Sequence, residues 1–344
     1  MGNAVLTRAA VCVLACSGAC VALGRAPAPA RAAEPVAPKL REVRRIWDEA
    51  PHNAFTDLTR FRGRWYCVFR EGKAHVSPDG ALRVLASADG KTWKPTARIT
   101  SATADLRDAK ISETPDGRLM LNGAGALHPP SPTRHQSLAW FSSDGAEWGT
   151  GIPIGDPDMW LWRVTWQKGV AYCLGYNTNP DRPKRFNRLY SSRDGANFAT
   201  LADRITPLES PGEHALVFLP DDTCLCLLRR DAGTFAAQLG RARPPYREWT
   251  WRDLGVRIGG PEMLRLPDGR LVAGVRLMDG RTRTALCWVD PEAGTLREFL
   301  TLPSGGDTSY CGFVWHEGDL WVSYYSSHEG KAAIYLARVA IPLS

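Results

Sequence analysis

The chain has no apolar run long enough for a comfortable membrane span. Its longest, residues 9–24, holds sixteen residues and is followed at once by Arg25 and a Pro/Ala stretch. It has no CxxC pair and no Cys or His spacing that suits a metal, so neither a metal nor another cofactor is expected. No run of Lys and Arg interleaved with aromatics is present, and nothing implies a nucleic-acid partner. No nucleotide or phosphate-loop motif stands out either.

What the first residues do contain is an export signal. Arg8 precedes the apolar run, and Ala30-Arg31-Ala32 supplies the small residues that a signal peptidase reads. Residues 1–32 are therefore expected to be removed, leaving residues 33–344 as the mature protein, secreted or periplasmic. A rival reading is a lipoprotein leader, with Cys16 in Val13-Leu14-Ala15-Cys16 as the lipidated residue and the product lipid-anchored. Without Arg8, Arg25 and Arg31 the formal charge falls from +7 to +4, so part of the basicity belongs to the signal. Three of the nine cysteines leave with it; most of the remaining six sit in alternating apolar runs and read as buried thiols.

The mature chain writes one hairpin six times. The copies are residues 60–70 (RFRGRWYCVFR), 113–125 (ETPDGRLMLNGAG), 164–176 (VTWQKGVAYCLGY), 217–230 (VFLPDDTCLCLLRR), 264–276 (LRLPDGRLVAGVR) and 313–325 (FVWHEGDLWVSYY). Each has an apolar strand, a polar turn and an alternating apolar strand. The turn positions, Gly63, Gly117, Gly169, Asp222, Gly269 and Gly318, are 54, 52, 53, 47 and 49 residues apart. Units of about 50 residues with four short strands are propeller blades, which stack radially because neither face can be buried alone. The expectation is an all-β, six-bladed β-propeller filling residues 33–344, a monomer, with no second domain. Closure would need residues 40–47 to pair beside 332–340 and cover an otherwise open edge.

Three hairpins are followed by S-x-D-G-x-x-aromatic: residues 87–93, 142–148 and 192–198. Asp-Gly makes a tight turn and the aromatic packs between blades, so these are structural residues.

Blade geometry also locates a site. Seven residues after each turn stand Arg70, Ala124, Tyr176, Arg229, Arg276 and Tyr325, and a propeller aims equivalent places at one axis. Three guanidinium groups gathered there repel one another unless they share an anion, and their planar forks suit a carboxylate. Eight or nine residues before the turns lie Asp108, Trp160, Glu213, His214, Gly260 and Tyr310. A tyrosine beside a carboxylate can be deprotonated and attack carbon. A neutral nucleophile also avoids the repulsion that a carboxylated sugar would exert on an anionic one. Arg107, Arg163, Trp162 and His75 are further candidates for the mouth.

The three S-x-D-G-x-x-aromatic turns, the spacing of Glu213 and Arg229, the stretch from Leu266 to Arg276, and Asp307-Thr308-Ser309-Tyr310 together resemble the sialidase (neuraminidase) superfamily with its Asp-box repeats. The resemblance covers nearly all of the mature chain. It implies a sialidase-like propeller, an arginine triad on the substrate carboxylate, a Tyr310/Glu213 nucleophile pair, and an aspartic acid/base in the first blade. Two departures stand out. Where the family begins its first inner strand with an arginine, this chain has His52-Asn53-Ala54-Phe55, and Arg70 is the substitute on the neighbouring strand. The loop expected to carry the acid offers only Asp79 in a turn, so Glu71 is the first choice of acid and Asp108 the second. The leading reading is an exo-acting, retaining glycosidase on sialic acid or a similar carboxylated saccharide. A glycosidase or lyase on another acidic saccharide, and a non-catalytic carbohydrate-binding propeller, remain alternatives.

Overall fold

The computed structural model describes residues 1–2, 37–179 and 184–343. The expected leader and its lipidated Cys16 lie, apart from the first two residues, outside the described residues. Residues 36–344 form one compact unit. Its secondary structure is twenty-four β-strands, with no helix among the described residues.

All six expected hairpins form. His52–Phe61 pairs antiparallel with Arg64–Gly72, Ala104–Glu113 with Leu119–Leu127, and Thr165–Gln167 with Val170–Asn177. Pro211–Phe218 pairs with Cys224–Arg230, Thr250–Arg265 with Leu271–Leu277, and Thr308–His316 with Asp319–Ser326. The return strands are largely buried and apolar, and four of the six carry the β-branched or aromatic residues that suit a pleated surface. Their turns need a left-handed residue, which glycine supplies at five places. Asp222, the exception, adopts φ +65° itself.

Hydrogen bonding links the strands into five sheets of four, five, seven, four and four strands. The seven-stranded sheet departs from the expectation of equal units. Its sixteen-residue strand Thr250–Arg265 pairs through its first part with Ala236–Ala242 and through its last part with Leu271–Leu277. One strand thus finishes one repeat and opens the next without an intervening loop.

The expected closure is made: Lys39–Trp47 runs antiparallel to Ala333–Ala340 and covers the outer edge of the last sheet. The first and last sheets also meet where Asn53 N–H donates to the Ala332 carbonyl at 3.1 Å. The three S-x-D-G-x-x-aromatic turns are built alike. In the first, Asp89 Oδ1 accepts from the amides of Lys91 and Thr92, both at 2.8 Å, and Ser87 Oγ accepts from Gly90 N–H at 2.9 Å. They also fasten neighbouring sheets: Tyr66 in the first donates to the Asp144 carbonyl in the second at 2.8 Å. The six cysteines of the compact unit are free and buried.

The feature that matters most for function is a repeated irregularity. The register slips between Ala54 and Asp57, Arg107 and Lys110, Pro211 and His214, Gly259 and Glu262, and Ser309 and Gly312. Each slip is a β-bulge on an inner strand, and bulges re-aim side chains. Phe55, Asp108, Gly260 and Tyr310 hold four of these five bulges with φ of 63°, 56°, 54° and 55°. Three of the four are not glycine, and such backbone costs about 1–3 kcal/mol per residue.

Candidate functional site

The bulges bring Glu213 and Tyr310, 97 residues apart, into one hydrogen bond: the phenol donates to Glu213 Oε1 at 2.6 Å. Arg229 Nη1 donates to the same Oε1 at 2.8 Å and to the phenolic oxygen at 3.2 Å. Glu213 Oε2 accepts from the Gly260 amide at 2.6 Å. Burial alone would raise the Glu213 carboxyl, but the Arg229 charge and the donors from Tyr310, Arg229 and Gly260 outweigh it and hold it below the usual range. Burial and the Glu213 charge push the Tyr310 phenol well up. The proton therefore rests on the phenol, with its acceptor already in contact.

Only glycine fits at position 260. A Cβ there would stand 2.5 Å from Tyr310 Cδ2, on a left-handed backbone. The same residue lends its amide to Glu213, so a single glycine sets both members of the pair.

Arg276 lies 5.1 Å from the centre of the Tyr310 ring. It donates to the Thr308 carbonyl at 2.8 Å, to Asp307 Oδ1 at 3.1 Å and to the Tyr325 hydroxyl at 2.7 Å. Arg229 also reaches Asp231 Oδ1 at 2.9 Å. Arg276 Nη1 and Arg229 Nη2 make no hydrogen bond among the described residues. Both arginines thus have carboxylate partners and an amino group each to offer.

Arg70, the expected third arginine, is not with them. Its guanidinium is fully buried, donating through Nε to Asp105 at 2.9 Å, through Nη1 to the Ala74 carbonyl at 2.8 Å and through Nη2 to the Ser77 carbonyl at 3.0 Å. The loop of residues 73–80 folds over it and takes both amino groups, while Asp105 on the next sheet takes Nε. Glu71, the first choice of acid, is also displaced. It receives Trp47 Nε1 at 2.8 Å and Arg83 at 3.0 and 2.9 Å, because neighbours on a strand point to opposite faces. Arg98 Nε adds a contact at 3.3 Å, so both Glu71 oxygens are engaged by this cluster.

Asp108, the second choice of acid, is buried on a left-handed bulge. Burial, reinforced by the Glu213 charge, raises its carboxyl to about 6, against the lowering effects of Arg107, Lys110 and Arg70. The charges of Asp108, Glu213 and Tyr310 act on one another, so the three share one region. Two carboxyl groups whose environments push their acidities apart are the mark of an acid paired with a base.

Arg107 stays at the mouth, donating to the His75 carbonyl at 3.0 Å with its guanidinium 5.4 Å from the centre of the Phe55 ring. His75 Nδ1 meets Asp307 Oδ2 at 2.7 Å, and His52 Nε2 meets the same oxygen at 3.0 Å. Trp162 is buried edge-on against Tyr310, centroids 5.5 Å apart, and acts as a wall rather than a sugar platform. Arg163 is buried deeper, paired with Asp57 at 2.8 Å and Glu262 at 2.6 Å, so it is not a mouth residue. His214 is buried and accepts from the Leu174 amide, which fixes it as a neutral framework group.

The sequence reading gave no role to Lys110, Asp57, Glu262 or Asp307. Lys110 Nζ donates to the Thr56 carbonyl at 2.9 Å and lies 5.0 Å from the centre of the Trp162 ring. Asp307 could have been found from its place three residues before Tyr310. The others follow from bulges that no local pattern announces.

No known family pattern matches the chain, and no curated protein does. Solved structures do. A Dyadobacter fermentans protein of unknown function aligns with a TM-score of 0.77 at 20% identity, covering 89% of this chain and 99% of its own. A Penicillium chrysogenum alpha-L-arabinanase complexed with arabinobiose aligns at 0.69 and 14%, covering 87% and 98%. Trypanosoma rangeli sialidase aligns at 0.66 and 10%, covering 84% of this chain but 55% of its own. The chain has the fold of β-propeller proteins, among them glycoside hydrolases of both kinds.

Proposed function

We propose that the chain is an exported, six-bladed β-propeller glycoside hydrolase that removes a terminal carboxylated sugar and retains configuration through Tyr310. The count of six takes the seven-stranded sheet as two blades sharing Thr250–Arg265, in agreement with the six hairpins. The observation that carries the chemistry is the 2.6 Å bond from Tyr310 to Glu213, with Arg229 donating to both.

Tyr310 Oη attacks the anomeric carbon while its proton passes to Glu213 Oε1. The leaving oxygen takes a proton from Asp108. Water, deprotonated by the Asp108 carboxylate, then breaks the tyrosyl bond, and Tyr310 recovers its proton from Glu213. A phenol is neutral before it reacts, which favours it where the substrate carries a carboxylate at the reacting carbon. Arg229 and Arg276 supply the donors for that carboxylate.

One observation favours a second reading. Arg276 already holds Asp307 and Arg229 already holds Asp231, so the mouth carries little excess positive charge. A neutral sugar would then be cleaved by the carboxyl pair Glu213 and Asp108, with Tyr310 only orienting Glu213. Release of a fluorogenic aglycone from a sialoside, and of arabinose from arabino-oligosaccharides, separates the two. On the first reading the sialoside is cleaved, and Tyr310→Phe lowers turnover by about 10³-fold or more. On the second the arabinoside is cleaved, Tyr310→Phe keeps most activity, and Glu213→Gln loses it. Binding without turnover on either substrate would overturn both readings.

A further inference from the structure

At the mouth, three donors from distant parts of the chain converge on one point. His52 begins the first inner strand, His75 sits in the loop that follows its partner strand, and Asp307 precedes the last inner strand. Their nearest ligand atoms all lie within 4.8 Å of one another, and Asp307 Oδ2 is flanked by both imidazoles, at 3.0 Å from His52 Nε2 and 2.7 Å from His75 Nδ1. We propose that His52, His75 and Asp307 bind a divalent transition-metal ion of the zinc type, and that this ion supplies the positive charge which the missing arginine leaves absent.

The donor set points to the class of ion. Two imidazoles and one carboxylate suit zinc and its first-row neighbours, whereas calcium and magnesium take oxygen ligands. Bonds of about 2.0–2.2 Å would place donor atoms roughly 3.0–3.5 Å apart. The two pairs with Asp307 stand at 3.0 and 2.7 Å and no pair exceeds 4.8 Å, so side-chain shifts on the order of an ångström admit the ion. The surroundings hold the ligands without using the facing atoms. Asp307 Oδ1, the oxygen turned away from the imidazoles, accepts from the Tyr325 hydroxyl at 2.6 Å and from Arg276 at 3.1 Å. Such outer partners orient ligating carboxylates. The His52 backbone bridges to Ala332, and the His75 carbonyl is held by Arg107.

The place is also apt. His52 opens the strand on which the resembling family carries its first arginine, and Arg70, the sequence substitute, is sealed under its loop. Phe55 stands between His75 and Tyr310, its ring 5.1 Å from each, so an ion here lies one ring away from the phenol. With three protein ligands and the His75 side chain 47% exposed, a fourth position faces the mouth and can take a carboxylate oxygen. This role rests on the carboxylated-sugar reading; the ion site itself does not.

The full chain, stripped with a chelator, is titrated with Zn²⁺ by calorimetry and with Co²⁺ by visible absorption, in the absence of sugar. One ion per chain is expected, and His75→Ala and His52→Ala each weaken binding by at least tenfold. Near-ultraviolet circular dichroism checks that both variants keep the fold. No saturable binding, or equal binding in both variants, overturns the site. Affinity for free sialic acid is then measured with and without Zn²⁺. A rise of tenfold or more supports the role in charge supply, and an unchanged affinity overturns that role while leaving the ion site standing. Because the titration contains no sugar, its failure is separate from any failure of the hydrolase reading.

Discussion

Arg70 and Arg276 stand at the same offset from their turns, on equivalent strands of different repeats, yet they have different fates. Arg276 lines the site and keeps an amino group unbonded among the described residues, whereas Arg70 is enclosed by carbonyls of the loop that follows its strand. Gly80 shows how tightly that loop closes: a Cβ there would fall 1.7 Å from Asp105 Oδ1 and 2.6 Å from Arg70 Nε. Offset from the turn fixes the direction in which a side chain leaves a blade. The loop beyond decides whether it remains available.

Substituting both arginines gives the sharpest test of this contrast. Arg70→Ala leaves the buried Asp105 carboxylate with Arg107 as its one remaining cation, at 3.1 Å, and strips the donors from the loop carbonyls of Ala74 and Ser77, so it should cost roughly 3 kcal/mol of stability in denaturant unfolding. Arg276→Ala should unfold less easily than that variant but lose about 1.5–3 kcal/mol of affinity for an acidic sugar by calorimetry. Equal destabilisation by the two would break the comparison. Next in size is Gly260→Ala, which forces a side chain into Tyr310 on left-handed backbone. It should cost roughly 1–3 kcal/mol of stability. It should also lower turnover by about 10²-fold through misplacement of the phenol.

A smaller effect is expected from pH. A general acid must carry its proton, so turnover should fall about tenfold per unit as pH rises through about 6, the value to which burial lifts Asp108 among Arg107, Lys110, Glu213 and Arg70. The same raised value means that the stability linked to Asp108 is complete below the unfolded carboxyl near about 4 and is lost as pH rises through the folded value. Asp108→Asn should flatten that limb in both the rate profile and the melting profile. Smallest of all is Asp144→Ala, which removes an acceptor from the amides of Ala146 and Glu147. It should cost about 0.5–1 kcal/mol and leave turnover unchanged.

A second contrast lies between the mouth and the deeper cluster of Asp57, Arg163 and Glu262. In the cluster Arg163 is held by both carboxylates and by the Cys311 carbonyl at 3.1 Å, and burial raises Glu262 to about 7. Both regions gather charges from separate inner strands. At the mouth, however, a phenol is bonded to a carboxylate, and under the proposed function these are a weak nucleophile and its base.

Much of the fold was legible in residues close together in the chain. Alternating apolar strands and left-handed turn residues gave the six hairpins, since these depend on neighbours within about ten positions; the closing pairing of Lys39–Trp47 with Ala333–Ala340 joins opposite ends of the chain and was legible only because a ring of repeats otherwise leaves an open edge. Glu213, Tyr310, Arg229 and Arg276 were legible as a group because equal offsets in a radial repeat converge. Glu71 was misread by one face of one strand, and Asp108 rose in its place because a bulge at φ 56° re-aims it.

The sequence by itself determined the repeat, its turns and the addresses of the side chains that share an axis, because these are properties of period and spacing. Tertiary structure alone decided which arginine stays available, which carboxyl burial leaves raised and which it does not, and that His52, His75 and Asp307 meet. Those outcomes depend on burial and on contacts between residues tens to hundreds of positions apart, where no local pattern reaches.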